Sequence, residues 1–253
     1  MIRPFFIVAV LAAMAAPAAA QPAAPAHNRV QLLAEHSSLD RGLGSWSEVG
    51  VQLSRHWSVR QVAELGLVRT RRFGLDDDQL QAGYSTPLTP ALTASLQASL
   101  SPTHRVLPKH ALGGQLQYEF APGWLAHGGL RHTRYDTAEV DLLRLGLERY
   151  VGDFSFSGTW TGGRSLGQDL QGLELRAAWY YAEESSVGLI AVRGDEATQL
   201  GAGRVVLADV RGGAVVGRHR MAPGQWLVWS LQRTRQGDFY TRTGATLGFQ
   251  LAF

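Results

Sequence analysis

Residues 91–100 read ALTASLQASL, with Leu92, Ala94, Leu96, Ala98 and Leu100 alternating with Thr93, Ser95, Gln97 and Ser99. A strand turns successive side chains to opposite faces, so this segment has one apolar and one polar side. A helix, repeating near 3.6 residues, cannot hold that pattern on one face. The alternation returns at 59–68, where Ala63, Leu65 and Leu67 oppose Arg60 and Glu64, and at 111–120, where Leu112, Leu116, Tyr118 and Phe120 oppose Gln115, Gln117 and Glu119. It returns again at 142–150, at 172–180 and at 244–253, where the chain ends on Phe253 with Leu247, Phe249 and Leu251 in phase with it.

Breaks of two kinds separate these segments. Short ones fall at 56–58, 87–90, 121–123, 151–153, 183–186 and 222–224. Longer polar ones fall at 40–45, 71–78, 101–109, 135–141, 162–169, 194–203 and 235–240. Six short and seven long breaks predict fourteen strands. An even count, with tight turns at one end and longer loops at the other, is the plan of a closed antiparallel up-and-down β-barrel that crosses a membrane. Aromatic residues gather beside the breaks. Trp57, Trp124, Phe154 and Trp226 follow short ones, and Tyr118, Phe120, Tyr150, Tyr180 and Tyr181 precede them. Trp46, Phe73, Tyr135, Trp160, Phe239 and Tyr240 lie beside long ones. Two aromatic belts around an aliphatic band fit the two membrane interfaces. A soluble sandwich or lipocalin-like barrel is the competing fold, because alternation alone does not say which face is wet.

The start of the chain favours the membrane. Arg3 precedes the short apolar run FFIVAVLAAMAA at 5–16, and Ala18 and Ala20 give the small-x-small pattern of a signal peptidase site before Gln21. The run is shorter than the ~20 residues a spanning helix needs. The expected organisation is therefore a signal peptide over 1–20, a linker over 21–29 and a barrel over 30–253, located in the outer membrane with both termini in the periplasm. The chain has no cysteine, so an exported protein must draw its stability from something other than disulfides, and closing the sheet supplies that. A net charge of +3 gives no case for nucleic acid as a partner.

Specific segments resemble a known family. LSPTHRVLPKHALGGQLQY (100–118), GGLRHTRYD (128–136), LGLERYVG (145–152), YYAEESSVGL (180–189) and QGDFYTRTGATLGF (236–249) together resemble the YaiO family of outer-membrane β-barrel proteins. The resemblance implies a barrel in the outer membrane with no settled biochemical activity; some relatives occur beside polysaccharide-handling machinery.

For chemistry, the polar faces matter most. Glu35, Glu48, Glu64, Glu119, His127, Arg131, Arg144, Glu148, Glu174, Arg176 and Arg211 are expected to line the lumen. Mixed signs predict cross-strand pairs that narrow the passage and leave little charge selectivity. A second basic set, including Arg69, Arg71, Arg72, Arg105, Lys109, Arg131, Arg134, Arg233, Arg235 and Arg242, falls at the loops, at the level of lipopolysaccharide phosphates. Outer-membrane lipid and lipopolysaccharide are thus expected partners. The assembly machinery is another, reading Leu247, Phe249, Leu251 and Phe253. Two His-x-Ser pairs, His36 with Ser38 and His56 with Ser58, have the spacing used by barrel lipid hydrolases, with Glu48 available to orient His36. Such short matches arise by chance in a chain rich in both residues, so no catalytic residue is expected. His104, His110, His127 and His132 fall on different elements, and neither a metal nor a cofactor is expected. The leading function is a passive channel or surface component; the alternatives are a lipid hydrolase and a non-conducting structural or adhesive barrel.

Overall fold

The computed structural model describes residues 2–4, 27–200 and 204–253. Fourteen strands form one closed antiparallel barrel. They are β1 (His27–Leu39), β2 (Trp46–His56), β3 (Val62–Arg72), β4 (Leu75–Pro87), β5 (Leu92–Leu100), β6 (His110–Ala121) and β7 (Trp124–Arg134). The second half comprises β8 (Glu139–Val151), β9 (Phe154–Ser165), β10 (Gln168–Ala182), β11 (Ser185–Leu200), β12 (Arg204–Ala222), β13 (Gln225–Gln236) and β14 (Tyr240–Ala252). Each strand pairs with its neighbours in sequence, and β1 closes the circle against β14, from Arg29↔Ala252 to Leu39↔Arg242. Closure satisfies every ladder group and leaves no edge in hydrocarbon. A separate short strand, Ile2–Pro4, pairs with Thr198–Leu200 on the rim. The rest of the expected leader lies outside the described residues.

At the seam, Asn28 and Phe253 exchange two backbone hydrogen bonds of 2.9 Å each. Gly248 faces Leu33 there, and a Cβ at Gly248 would come within 2.4 Å of Leu33 Cδ2, so glycine lets an inward leucine lie across the joint. Strand β1 begins at His27, inside the segment expected to be a linker, because residues 27–29 already pair with β2 at His56, Arg55 and Ser54.

The end of the barrel that carries His27 and Phe253 is called the near end, and the opposite one the far end. Near-end connections are short, as expected. Several far-end connections are shorter than expected: 71–78 and 162–169 are mostly strand, and 235–240 is half strand. Residues 73–74 and 166–167 are two-residue turns with positive φ at both positions, 53° and 75° at Phe73 and Gly74, and 50° and 76° at Leu166 and Gly167. Turns of this hand match the twist of the flanking strands. Their polar flanks read as loop in the sequence, but charges alternate across the ladder there, with Arg69↔Asp78 and Arg71↔Asp76 as partners. The wall thus rises past the apolar band as paired strand. Residues 101–109 remain a true loop.

The outward face is the apolar one. Leu32, Leu65, Leu67, Leu112, Leu145, Leu175, Leu189 and Leu247 are all exposed, and Leu96 is 61% exposed. In a barrel whose other face is polar, such a surface is a lipid contact. A near-end belt is present, with Tyr84, Tyr118, Phe120, Trp124, Phe154, Trp179, Tyr181 and Phe249 pointing outward. The far-end belt is incomplete. Trp46 and Tyr240 turn inward and are buried at 3% and 4% exposure. Trp226, Tyr150 and Tyr180 at the near end also fall on the inward alternation.

Candidate functional site in the lumen

The period of two places Glu35, Glu48, Glu64, Glu119, His127, Arg131, Arg144, Glu148, Glu174 and Arg176 on the inward face of their strands. Arg211 is a correction. It points outward, in phase with exposed Leu207 and Met221, and pairs with outward Asp209 at 2.6 Å. Its register partners are Arg193 and Arg235, so it stands in the polar band above the lipid. Water wets both faces of the wall at that height, and polarity there no longer marks the lumen. From the basic set expected at the loops, Arg72, Arg131 and Arg242 are inward residues instead.

The lumen has three levels. At the far end, Glu48 Oε2 accepts the Thr70 hydroxyl at 2.8 Å and lies 3.7 Å from Arg72. Glu35 Oε1 accepts Ser37 at 3.0 Å and Gln232 at 3.1 Å, and lies 3.8 Å from Arg242. The guanidiniums of Arg72 and Arg242 sit 5.1 and 5.3 Å from the Trp46 ring, which also meets Phe73 and Tyr240 edge-on. Side chains from β1, β2, β3, β13 and β14 are thereby knotted over one side of the mouth. Cation–π contacts of this kind gain strength when desolvated.

At mid-height, Glu174 holds Arg176 at 2.8 Å and Arg144 at 3.8 Å, and His127 lies 3.3 Å from Glu148. Here inward Gln81, Gln97, Gln115 and Arg144 are exposed, as is Glu119 below them, so the interior is wet. At the near end, Trp226 lies between Arg29 and Arg218, whose guanidiniums are 5.0 and 4.6 Å from its ring. His27 and His56 stack beside them at 4.9 Å.

The hydrolase arrangement does not assemble. His36 faces outward and Glu48 inward, so the wall separates them. His56 shares a hydrogen bond with Ser54 rather than Ser58, whose hydroxyl accepts the N–H groups of Arg60 and Gln61 in the turn. Among the four histidines considered for a metal, His110 and His132 meet on the outer surface with ring centroids 6.3 Å apart, and His132 pairs with Asp141 at 2.7 Å. No group of three or more potential metal ligands occurs among the described residues.

The sequence matches the family described as the YaiO membrane beta barrel domain over residues 27–194, more than half of the chain. The chain belongs to the YaiO membrane β-barrel family. The match takes in β1 to β10 and part of β11, including the mid-height ion pairs. No curated protein matches the sequence. Among solved structures, this YaiO-family barrel is similar to the Acinetobacter baumannii outer membrane protein Omp33, with TM-score 0.55 and 10% identity over 90% of this chain and 99% of the other. It is also similar to an anion-selective porin from Comamonas acidovorans, with TM-score 0.51 and 12% identity over 90% and 99% of the two chains. Salmonella typhi OmpF, in complex with daunomycin, gives TM-score 0.51 and 9% identity over 90% and 97%. At such identities these likenesses establish the shared fold.

Sequence reasoning missed Trp46, Arg72, Tyr240 and Arg242 at the far end, and Arg29, Arg218 and Trp226 at the near end, because an aromatic or arginine beside a turn reads as an interface or loop residue. Strict parity was the signal that could have found them. Trp46 is in phase with Glu48, and Arg29 with Glu35.

Proposed function

We propose that this barrel is a passive solute channel of the outer membrane, with its near end in the periplasm and its leader removed on export. One observation carries the reading: the mid-height inward residues Gln81, Gln97, Gln115 and Arg144 are solvent-exposed, while the outward face at the same height is apolar. A wet interior inside a lipid-facing shell is what conduction requires. The Acinetobacter neighbour is named as an outer-membrane protein and the Comamonas neighbour as a porin, which agrees with that use of the fold. Catalysis is not part of the proposal, since His36 and Glu48 face opposite sides of the wall. The outward arginines Arg193, Arg211 and Arg235, in one cross-strand row, would meet lipid phosphates at the outer interface. Single-channel recording in planar bilayers tests the reading. Discrete conductance steps are expected; silence combined with lipid turnover makes the protein a hydrolase, and silence in both assays makes it a structural barrel.

A further inference from the structure

The charged groups of the lumen are not evenly compensated. At the far end and at mid-height most inward arginines have a carboxylate within 4.0 Å: Arg72 has Glu48, Arg242 has Glu35, and Arg144 and Arg176 share Glu174. At the near end Arg220 is taken up by Glu183 at 2.8 Å and Glu184 at 3.4 Å. Arg29 and Arg218 have no such partner among the described residues. Arg218 Nη2 donates to Gln250 Oε1 at 3.0 Å and Arg29 Nε to His27 Nε2 at 2.9 Å, neither of them a carboxylate. Both guanidiniums approach the same indole, that of Trp226. Two like charges held together on one wall repel, and the one carboxylate that attracts both, Glu184, lies beyond ion-pair distance of either and is itself engaged by Arg220.

A second observation points the same way. Trp226 is 2% exposed, and its indole N–H has no hydrogen-bond partner; the Nε–H of Arg218 is buried without one as well. Buried polar groups are nearly always satisfied, so two adjacent orphans call for an explanation. Both are donors, and neither can accept. The missing group is therefore an acceptor, and beside two guanidiniums that share only the attraction of Glu184 from beyond ion-pair distance it is an anionic one. Planar forks of N–H donors match the paired oxygens of carboxylates and phosphates.

We propose that Arg29, Arg218 and Trp226 form a binding site for oxyanion-bearing solutes, carboxylate or phosphate, at the near-end mouth of the lumen. The site names the solute class of the channel and rests on that reading for transport, though not for binding. With its two arginines half-buried on the wall of a wet lumen, the site suits transient capture of an anion on its way through rather than permanent retention. This departs from the unselective lumen that mixed signs alone predict.

The test is isothermal titration of folded protein in detergent micelles with inorganic pyrophosphate, citrate and maltose. Saturable binding of pyrophosphate, citrate or both is expected, weakening as KCl is raised, with no binding of maltose. Arg29→Gln and Arg218→Gln should each weaken it about tenfold, the scale of one lost charge-assisted hydrogen bond. Arg218→Lys should retain part of the affinity, keeping the charge but not the fork. Heat-modifiable migration on gels shows which variants are folded, and the salt dependence of the unaltered protein stands as a measurement if one is not. No saturable anion binding, anion binding unchanged in both Gln variants, or equal binding of maltose would overturn the site. Binding by a protein that is silent in planar bilayers would overturn the channel and leave the site standing.

Discussion

Asp77 and Thr103 are joined by a 2.6 Å hydrogen bond, hydroxyl to carboxylate, across 26 residues of chain. The same carboxylate accepts the backbone N–H groups of Val106 at 2.6 Å and Leu107 at 2.8 Å. One buried aspartate at the far end of β4 thus fastens the 101–109 loop to the inner wall. Leu107 is buried along with it. Hydrogen bonds to a charged group contribute about 1.5–3 kcal/mol each, and removing their shared acceptor strands the donors. Asp77→Ala should therefore release the loop at a local cost of about 2 kcal/mol or more, leaving the barrel closed. Faster tryptic cleavage at Arg105 and Lys109, with heat-modifiable migration unchanged, is the expected outcome. Cleavage at the parental rate would show that the loop is held elsewhere.

The same contact sets a pH dependence. Burial opposes the Asp77 charge, but the Thr103 hydroxyl and the loop N–H groups outweigh it and hold the carboxyl below the ordinary aspartate range. A folded pKa below the unfolded one stabilises above the unfolded value, near pH ~3.9, and that stabilisation is lost as pH falls through the folded value. Loop protection, read by hydrogen exchange of Val106 and Leu107, should be flat from neutral pH down to about 4 and drop below it. A loss of protection between pH 8 and 5 would point to a different group.

Leu96 and Gln97 are adjacent on β5 and face opposite media. Leu96→Arg places a guanidinium in hydrocarbon and should cost about 2–4 kcal/mol, whereas Gln97→Arg enters a wet lumen and should cost well under about 1 kcal/mol. Denaturant titration in lipid vesicles compares the two. Equal destabilisation would mean that the faces have been assigned the wrong way round.

This pair also shows what the sequence made legible. Where the wall crosses lipid, one face must be apolar, and ALTASLQASL records that demand residue by residue. The strand count, the inward set from Glu35 to Arg176 and the outward set from Leu247 to Leu251 all come from that constraint. Above the lipid it lapses. RVVLADVRGGAVVG at 204–217 has apolar or glycine residues in both phases, so Arg211 could not be assigned a face from polarity. Its side follows only from counting pairs with β11 and β13. The far-end turns were hidden for a related reason: Phe73 and Leu166 are poor predictors of positive φ, and only the glycine after each hinted at a tight reversal. The arginine–tryptophan contacts join strands far apart in sequence, β2 with β14 and β1 with β13, which no local pattern records.

Trp46 tests the far-end knot. Its indole is buried between Arg72 and Arg242, and truncation to alanine removes both stacking contacts together with the packing against Phe73 and Tyr240. A loss of about 3–5 kcal/mol is expected for a buried aromatic. Trp57→Ala, in the lipid-side belt with its ring exposed, should cost much less. If the knot restricts the mouth, Trp46→Ala should also raise single-channel conductance, and unchanged conductance would place the constriction at another level.

The last strand bears on assembly. Leu247, Phe249 and Leu251 project to the lipid side, and Phe253 ends the chain beside the near-end belt, 66% exposed. Strand β14 meets β1 along eleven residue pairs, from Arg242↔Leu39 to Ala252↔Arg29, so most of the seam survives without the terminal residue. Deleting Phe253 removes two backbone hydrogen bonds with Asn28 and one aromatic anchor. At about 1 kcal/mol per net hydrogen bond, the equilibrium loss is small against a fully paired barrel. Before closure the account differs. Both seam edges are then unpaired, each exposed backbone group costs several kcal/mol in hydrocarbon, and an open barrel cannot persist in the membrane. If the terminal residues are what the assembly machinery reads, the deletion should act on the rate of insertion and hardly on the inserted product. Cells carrying it should hold less heat-modifiable protein in the outer-membrane fraction and more degraded chain in the periplasm, with near-parental unfolding midpoints for whatever inserts. Normal accumulation of the deletion variant would remove the recognition role from Phe253, and recovery of both forms as soluble periplasmic protein would contradict a membrane barrel altogether.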